Sequence, residues 1–221
     1  MNEETKKKKD VEFYVQIAAI VILAGLLMYS FGKSSGTDNV TGNGIGTVSA
    51  SEITPKGIPS IYGSELKISY DDVSANNPSG AERTIAILGN IDRSETLTGA
   101  DLQRYINILY KMENGISCEF CCGARSVIFE NGEPACGCAH SYAMRGLTKY
   151  LIKFHGTEFT DAQILGEAGK WKVLFFPGIH ETKAAVLKSQ GIELNYINLA
   201  SNKYRGIEQG QANGGGMVGG C

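Results

Sequence analysis

The sequence predicts an α+β protein: an N-terminal transmembrane helix, a flexible linker, and a small, mostly helical domain that carries its cysteines on a β-hairpin. Three observations lead there. A nineteen-residue apolar run, Phe13–Phe31, follows four consecutive lysines, Lys6–Lys9. Helical hydrophobic spacing dominates between residues 98 and 190. Five of the six cysteines fall within the 21 residues Cys118–Cys138, around the turn signal Asn131-Gly132. Hydrophobic content of 43% with 20% charge is that of a globular chain. A net charge of −2, with no basic patch interleaved with aromatics, argues against nucleic acid as a partner.

At ~1.5 Å per residue the apolar run spans about 29 Å, close to the hydrocarbon core of a bilayer. Tyr14 and Tyr29 sit near its ends, as interfacial aromatics do. No small-x-small cleavage site follows it cleanly, which favours an anchor over a removed signal peptide. The lysines before it place residues 1–12 in the cytoplasm, residues 13–31 across the lipid bilayer and the rest outside, a single-pass protein of the cell membrane. Residues 32–62 read as a flexible linker rich in Gly, Ser, Thr and Asn. The folded, cysteine-rich domain is expected over 63–204. Residues 205–221 form a glycine-rich tail whose composition supports no packed core, although its last residue is Cys221.

Within the domain, Leu66–Tyr70 alternates apolar and polar residues like a half-buried strand, and Thr84–Leu88 is a weaker strand candidate. Thr98 with Asp101 marks a helix start; Leu102, Tyr105, Ile106, Leu109 and Met112 recur at helical spacing until Asn114-Gly115. Ser126–Phe129 reads as a short strand of the hairpin. Ala139, Tyr142, Ala143, Leu147, Tyr150, Leu151 and Phe154 then line one face of a helix that Gly156 stops. Thr160 with Gln163 opens another helix, carrying Ile164, Ala168, Trp171, Leu174 and Phe175 up to Pro177; Val173–Phe176 also fits a strand. Residues 179–190 predict a further helix closed by Gly191, and Ile192, Leu194 and Tyr196 alternate as a strand would. Trp171 and Met144 suit the core, and His155 and His180 the surface.

The chemistry lies in the cysteines. Cys118, Cys121 and Cys122 form C-x-x-C-C; Cys136, Cys138 and His140 form C-x-C-x-H. Thiolates and imidazole are the donors that Zn²⁺ and Cu⁺ select, and short spacing lets a second ligand bind from the same loop at little entropic cost. The six residues are therefore the candidate metal ligands, with a zinc or copper(I) ion as the expected cofactor. Cys138 falls at the start of a helix, where the dipole favours a thiolate. The pattern departs from a zinc ribbon, because C-x-C stands where a second C-x-x-C is usual. Disulfides between the two clusters, stapling the hairpin into an interaction module, are an alternative. So is thiol–disulfide exchange in which the mobile Cys221 reaches the cluster. Bridges between adjacent Cys121 and Cys122, or across Cys136-Gly137-Cys138, depart from relaxed geometry. C-x-x-C-H and H-E-x-x-H are absent, so covalent haem and a metalloprotease are not indicated, and no catalytic residue is assigned.

Pro134-Ala135-Cys136-Gly137-Cys138-Ala139-His140 resembles part of the PCYCGC motif of a family of uncharacterised, mostly lipid-anchored bacterial proteins. The likeness covers C-G-C and the nearby histidine. No cysteine follows Pro134 directly, there is no lipobox cysteine, and most cysteines here precede the motif, whereas the family's follow it. The resemblance implies an outward-facing, cysteine-rich domain.

Overall fold

Side-chain caps start half of the helices. In a computed structural model, which describes residues 47–120, 123–209 and 217–219, the order is α1 (Ala50–Ile53), α2 (Gly63–Leu66), α3 (Pro78–Ser94), α4 (Gly99–Ile106), α5 (Ala139–His155), α6 (Asp161–Phe175), α7 (Pro177–Ser189) and α8 (Tyr196–Ala200). Asn77 caps α3 by accepting the Gly80 N–H at 3.1 Å, with Pro78 at the first helical position. Thr160 and Gln163 form the capping box expected at the start of α6. After α4 the chain passes through a π turn, Asn107–Lys111, and a 3₁₀ turn, Met112–Asn114. Gly115 ends this stretch at φ 81°, where a Cβ would stand 2.6 Å from the Leu109 carbonyl oxygen.

Two helix contacts organise the core. α3 packs along α5, and Gly146 permits the close approach: a Cβ there would meet the Leu88 carbonyl oxygen at 1.8 Å. α6 is apolar on most of its surface, with Ile164, Leu165, Ala168, Trp171 and Phe175 wholly buried. Its Gly169 lies under α8, where a Cβ would stand 2.6 Å from the Tyr196 carbonyl oxygen. Trp171 Nε1 donates to Tyr62 Oη at 2.9 Å. The hydroxyls of Tyr62 and Tyr70 in turn reach Glu167 Oε2 at 2.9 and 2.7 Å.

These observations correct the α+β expectation: the described residues form a helical fold with no sheet and no cysteine-bearing hairpin. Extended pairing among them amounts to isolated bridges at Ser74–Asn77, Ile116–Ser201 and Ile128–Pro134. The last of these stands where the hairpin was expected. The Phe129 N–H donates to the Glu133 carbonyl at 2.7 Å and the Ala135 N–H to the Val127 carbonyl at 3.1 Å, but the next donor, the Val127 N–H, is taken by the Ile116 carbonyl at 2.9 Å, so pairing ends at this one bridge. Thr84–Leu88, read as a strand, lies inside α3, where Ala81, Thr84, Ile85 and Leu88 form its buried face. Leu66–Tyr70 is broken by Lys67 at φ 54°, the left-handed cap of α2. Residues 47–62, expected as linker, bury Val48, Ile53 and Tyr62.

The expectation of a single-pass cell-membrane protein with its domain outside is corrected likewise. Among the described residues no helix is long and apolar enough to cross a membrane. The expected span, residues 13–31, lies outside the described residues.

Candidate metal centre

Cys138 is the N-cap of α5, and its sulfur accepts the Ser141 N–H at 3.4 Å and lies 3.3 Å from Ser141 Oγ. His140 follows in the first turn, fully buried, with its ring 4.7 Å from that of Phe175 and 5.0 Å from that of Phe176. Its Nε2 lies 2.9 Å from the Val218 carbonyl oxygen. A carbonyl only accepts, so Nε2 carries a hydrogen.

The loop after Gly115 brings in Cys118. Ser126 Oγ donates to the carbonyls of Leu109 at 2.6 Å and Ile116 at 3.0 Å, and the Val127 N–H donates to Ile116 at 2.9 Å. Asn202 pins the loop from outside: its Nδ2 donates to the carbonyls of Asn114 at 3.0 Å and Arg125 at 2.7 Å, and its Oδ1 accepts from Ser117 Oγ at 2.6 Å. Beyond Cys118 the chain turns at Glu119, φ 65°, closed by the Phe120 N–H to the Cys118 carbonyl at 2.6 Å. The buried Lys172 holds Glu119 Oε2 at 2.8 Å, and the Gly206 N–H holds Oε1 at 3.0 Å.

The ligand atoms of Cys118, Cys138 and His140 lie within 4.8 Å of one another, and all three residues are buried. A tetrahedral zinc with Zn–S bonds of about 2.3 Å sets its sulfurs about 3.8 Å apart, so small side-chain movements would close the set on an ion. Donor chemistry fits as well: two sulfurs, and an imidazole whose other nitrogen is tied to a carbonyl. This cluster could hold a metal ion. The Cys138 thiol is held well below the usual thiol range, first by the hydrogen bond from Cys118 and then by those from His140 and Ser141, against the opposing effect of burial. A surface cavity of about 450 Å³ lies against this turn, lined by Ile85, Arg93, Gly137, Ala139 and Tyr142 among others.

Of the four expected ligands among the described residues, Cys118, Cys136, Cys138 and His140, three converge. Cys136 is buried, but its sulfur is not one of the converging group. Its carbonyl accepts Arg145 Nη1 at 2.8 Å, beside a bond from the same nitrogen to Val127 at 3.2 Å. Arg145 Nε pairs with Asp92 Oδ2 at 2.8 Å, with both side chains buried. Cys121, Cys122 and Cys221 lie outside the described residues.

His155 and His180, expected on the surface, are both buried. Burial, reinforced by the nearby Lys172, pushes His180 down to about 3 and keeps it neutral. Sequence reasoning missed Arg145, Asn202 and Val218. The one available signal was the apolar pair Met217-Val218 within an otherwise glycine-rich end. No protein-family model, curated protein or solved structure matches the chain.

Proposed function

We propose that the protein binds a soft or borderline metal ion, zinc or copper(I), through Cys118, Cys138 and His140. The observation that carries this is the convergence of two sulfurs and one imidazole in a buried site, from two segments about twenty residues apart. A second support is the Val218 carbonyl on His140 Nε2, the outer hydrogen bond that zinc-ligating histidines make. Cys121 and Cys122 follow Cys118 by three and four residues, within chain reach of a fourth coordination position. With four donors the centre is a structural Cys₃His zinc site; with three it suits copper(I) or zinc with one open position. Either way the ion joins α5 to the loop after α4.

The test is elemental analysis of the full chain purified without added metal, followed by Co²⁺ substitution. We expect about one ion per chain and, with Co²⁺, sulfur-to-cobalt charge-transfer bands that Cys118→Ser and Cys138→Ser each abolish. A chain that arrives metal-free and takes up no Co²⁺ would sink the proposal.

A second reading, thiol–disulfide exchange, is favoured by the lowered Cys138 thiol beside Cys118. It requires that a metal-free chain reduce insulin and that Cys118→Ser or Cys138→Ser stop it. Burial of both sulfurs weighs against it, since an attacking thiolate needs access.

A further inference from the structure

Residues 217–219 come back to this centre. Val218 is 4% exposed. Its N–H donates to the Phe175 carbonyl at 2.8 Å, and its carbonyl lies 2.9 Å from His140 Nε2. Gly219 follows at φ 82°, where a Cβ would stand 2.4 Å from Ile85 Cδ1 and 3.5 Å from His140 Nε2. A glycine is therefore what lets the chain pass so close. The sulfurs of Cys118 and Cys138 lie within 4.8 Å of a His140 nitrogen. Allowing for the width of the ring, both sulfurs are within about 12 Å of the Gly219 Cα. Cys221 stands two residues further on. Two residues span up to ~7 Å and the cysteine side chain adds about 3 Å. Sulfurs that share a tetrahedral zinc need only approach one another to about 3.8 Å. The thiol of Cys221 is thus within reach of both. The loop bearing Cys121 and Cys122 is fastened elsewhere: the Gly206 N–H holds Glu119 ahead of it at 3.0 Å, and Arg205 holds the carbonyls of Gly123 and Ala124 behind it at 3.1 and 2.9 Å.

We propose that Cys221 supplies a third thiolate to the metal centre, beside Cys118 and Cys138, and that the docking of Val218 delivers it. This rests on the metal-binding reading and names the donor for its fourth position. It concerns the sulfurs, and holds whichever nitrogen of His140 faces the ion. Docking at Val218 leaves only Gly219 and Gly220 between the anchored chain and the donor. A donor on so short a tether acts at an effective concentration in the millimolar range, and joining it to a bound set raises affinity by about 10²–10⁴. The coupling is reciprocal: an ion held by Cys221 also keeps Val218 seated on Phe175. Three thiolates and an imidazole make a Cys₃His set, which suits zinc with no open position.

The test alkylates the full chain under reducing conditions, with and without Zn²⁺, and follows each cysteine by mass spectrometry in the native protein, Cys221→Ser and Val218→Pro. Zn²⁺ should protect Cys118, Cys138 and Cys221 together in the native chain. Cys221→Ser should hold Zn²⁺ about 10²–10⁴-fold more weakly against a chromophoric chelator, and should lose about one third of the cobalt–thiolate band intensity. Val218→Pro keeps the thiol but removes the N–H that anchors the segment on Phe175. It should weaken binding to a similar degree, with Cys221 losing its protection while Cys118 and Cys138 keep theirs. Zn²⁺ that protects Cys118 and Cys138 but leaves Cys221 labelling at its metal-free rate overturns the proposal and leaves the metal site standing, whether or not Cys121 or Cys122 is protected in its place. Full protection of Cys221 in Val218→Pro overturns delivery by docking. A native chain that binds neither Zn²⁺ nor Co²⁺ overturns this proposal and the metal-binding reading together.

Discussion

Cys138 and His140 ride on the first turn of a seventeen-residue helix, whereas Cys118 sits on a loop without helix or strand around it. The helical half is rigid by local rules: backbone hydrogen bonds, a sulfur cap and a buried face. The loop half has no helix and no sulfur cap, only a few backbone bonds such as those from the Val127 N–H to Ile116 and the Phe120 N–H to Cys118. It is held by side chains far away in sequence, Asn202 and Lys172, and by the backbone of Gly206. A centre built this way can lose one half while keeping the other, and an ion placed between them would couple a strong element to a weak one.

The largest effect should come from the helical half. Replacing Arg145 with Met leaves Asp92 buried without its guanidinium and strips the carbonyls of Cys136 and Val127 of a donor. Breaking a buried pair of this kind costs about 3–5 kcal/mol. Lys149, 2.8 Å from Asp92 Oδ1, should keep the loss toward the lower figure. Urea unfolding measures it, and a loss below about 1 kcal/mol would show that this pair does not secure the helical half.

A smaller and more local effect is expected on the loop half. Asn202→Ala removes three hydrogen bonds that hold residues 114–125 and should cost about 1–3 kcal/mol. The informative readout is thiol alkylation of the metal-free protein mapped by mass spectrometry. Cys118 should label sooner than in the native chain while Cys138 keeps its native rate. Equal acceleration at both positions would mean that the halves move as one.

The smallest effect lies at the opposite end of α5. His155 is pulled down by burial, but its hydrogen bonds to Glu158 and Glu65 outweigh this and raise it above the ordinary histidine value near 6.5. A folded-state value above the unfolded one means the protonated form stabilises the fold. That contribution is complete below about pH 6.5 and fades as pH rises through the higher folded value. Melting temperature should therefore fall slightly between pH 6 and 8, a fall that His155→Gln flattens, with metal content unaltered. A change in metal content would tie this end of the helix to the centre.

Much of the helical half is legible in the residues themselves. The buried Ala143, Leu147 and Leu151, Cys138 at the helix start and the Thr160–Gln163 box are local signals that stand where the sequence puts them, although Phe154 of the same stripe faces solvent. Local reading fails where a distant partner decides. Thr84–Leu88 is rich in β-branched residues, yet Asn77 and Pro78 start a helix ahead of it, and the face it offers α5 keeps that helix. The Asn131-Gly132 turn forms, but the Val127 N–H that would extend the ladder is drawn to the distant Ile116 carbonyl, so no hairpin follows. The cysteine spacing draws attention to both clusters without choosing among six donors. Which of the described donors converge depends on Asn202, Arg145 and Val218, whose roles follow from contacts across the fold that no spacing rule encodes.

The chain contains a single tryptophan, and its position relative to the centre makes it an internal gauge. The Trp171 ring lies 6.5 Å from that of Phe175, which lies 4.7 Å from His140. An open-shell ion bound at His140 would sit within quenching range of that indole, while closed-shell zinc or copper(I) would leave its emission bright. Intrinsic fluorescence thus distinguishes occupancy by Co²⁺ from occupancy by Zn²⁺ with no added label, and the same signal follows the core as it melts.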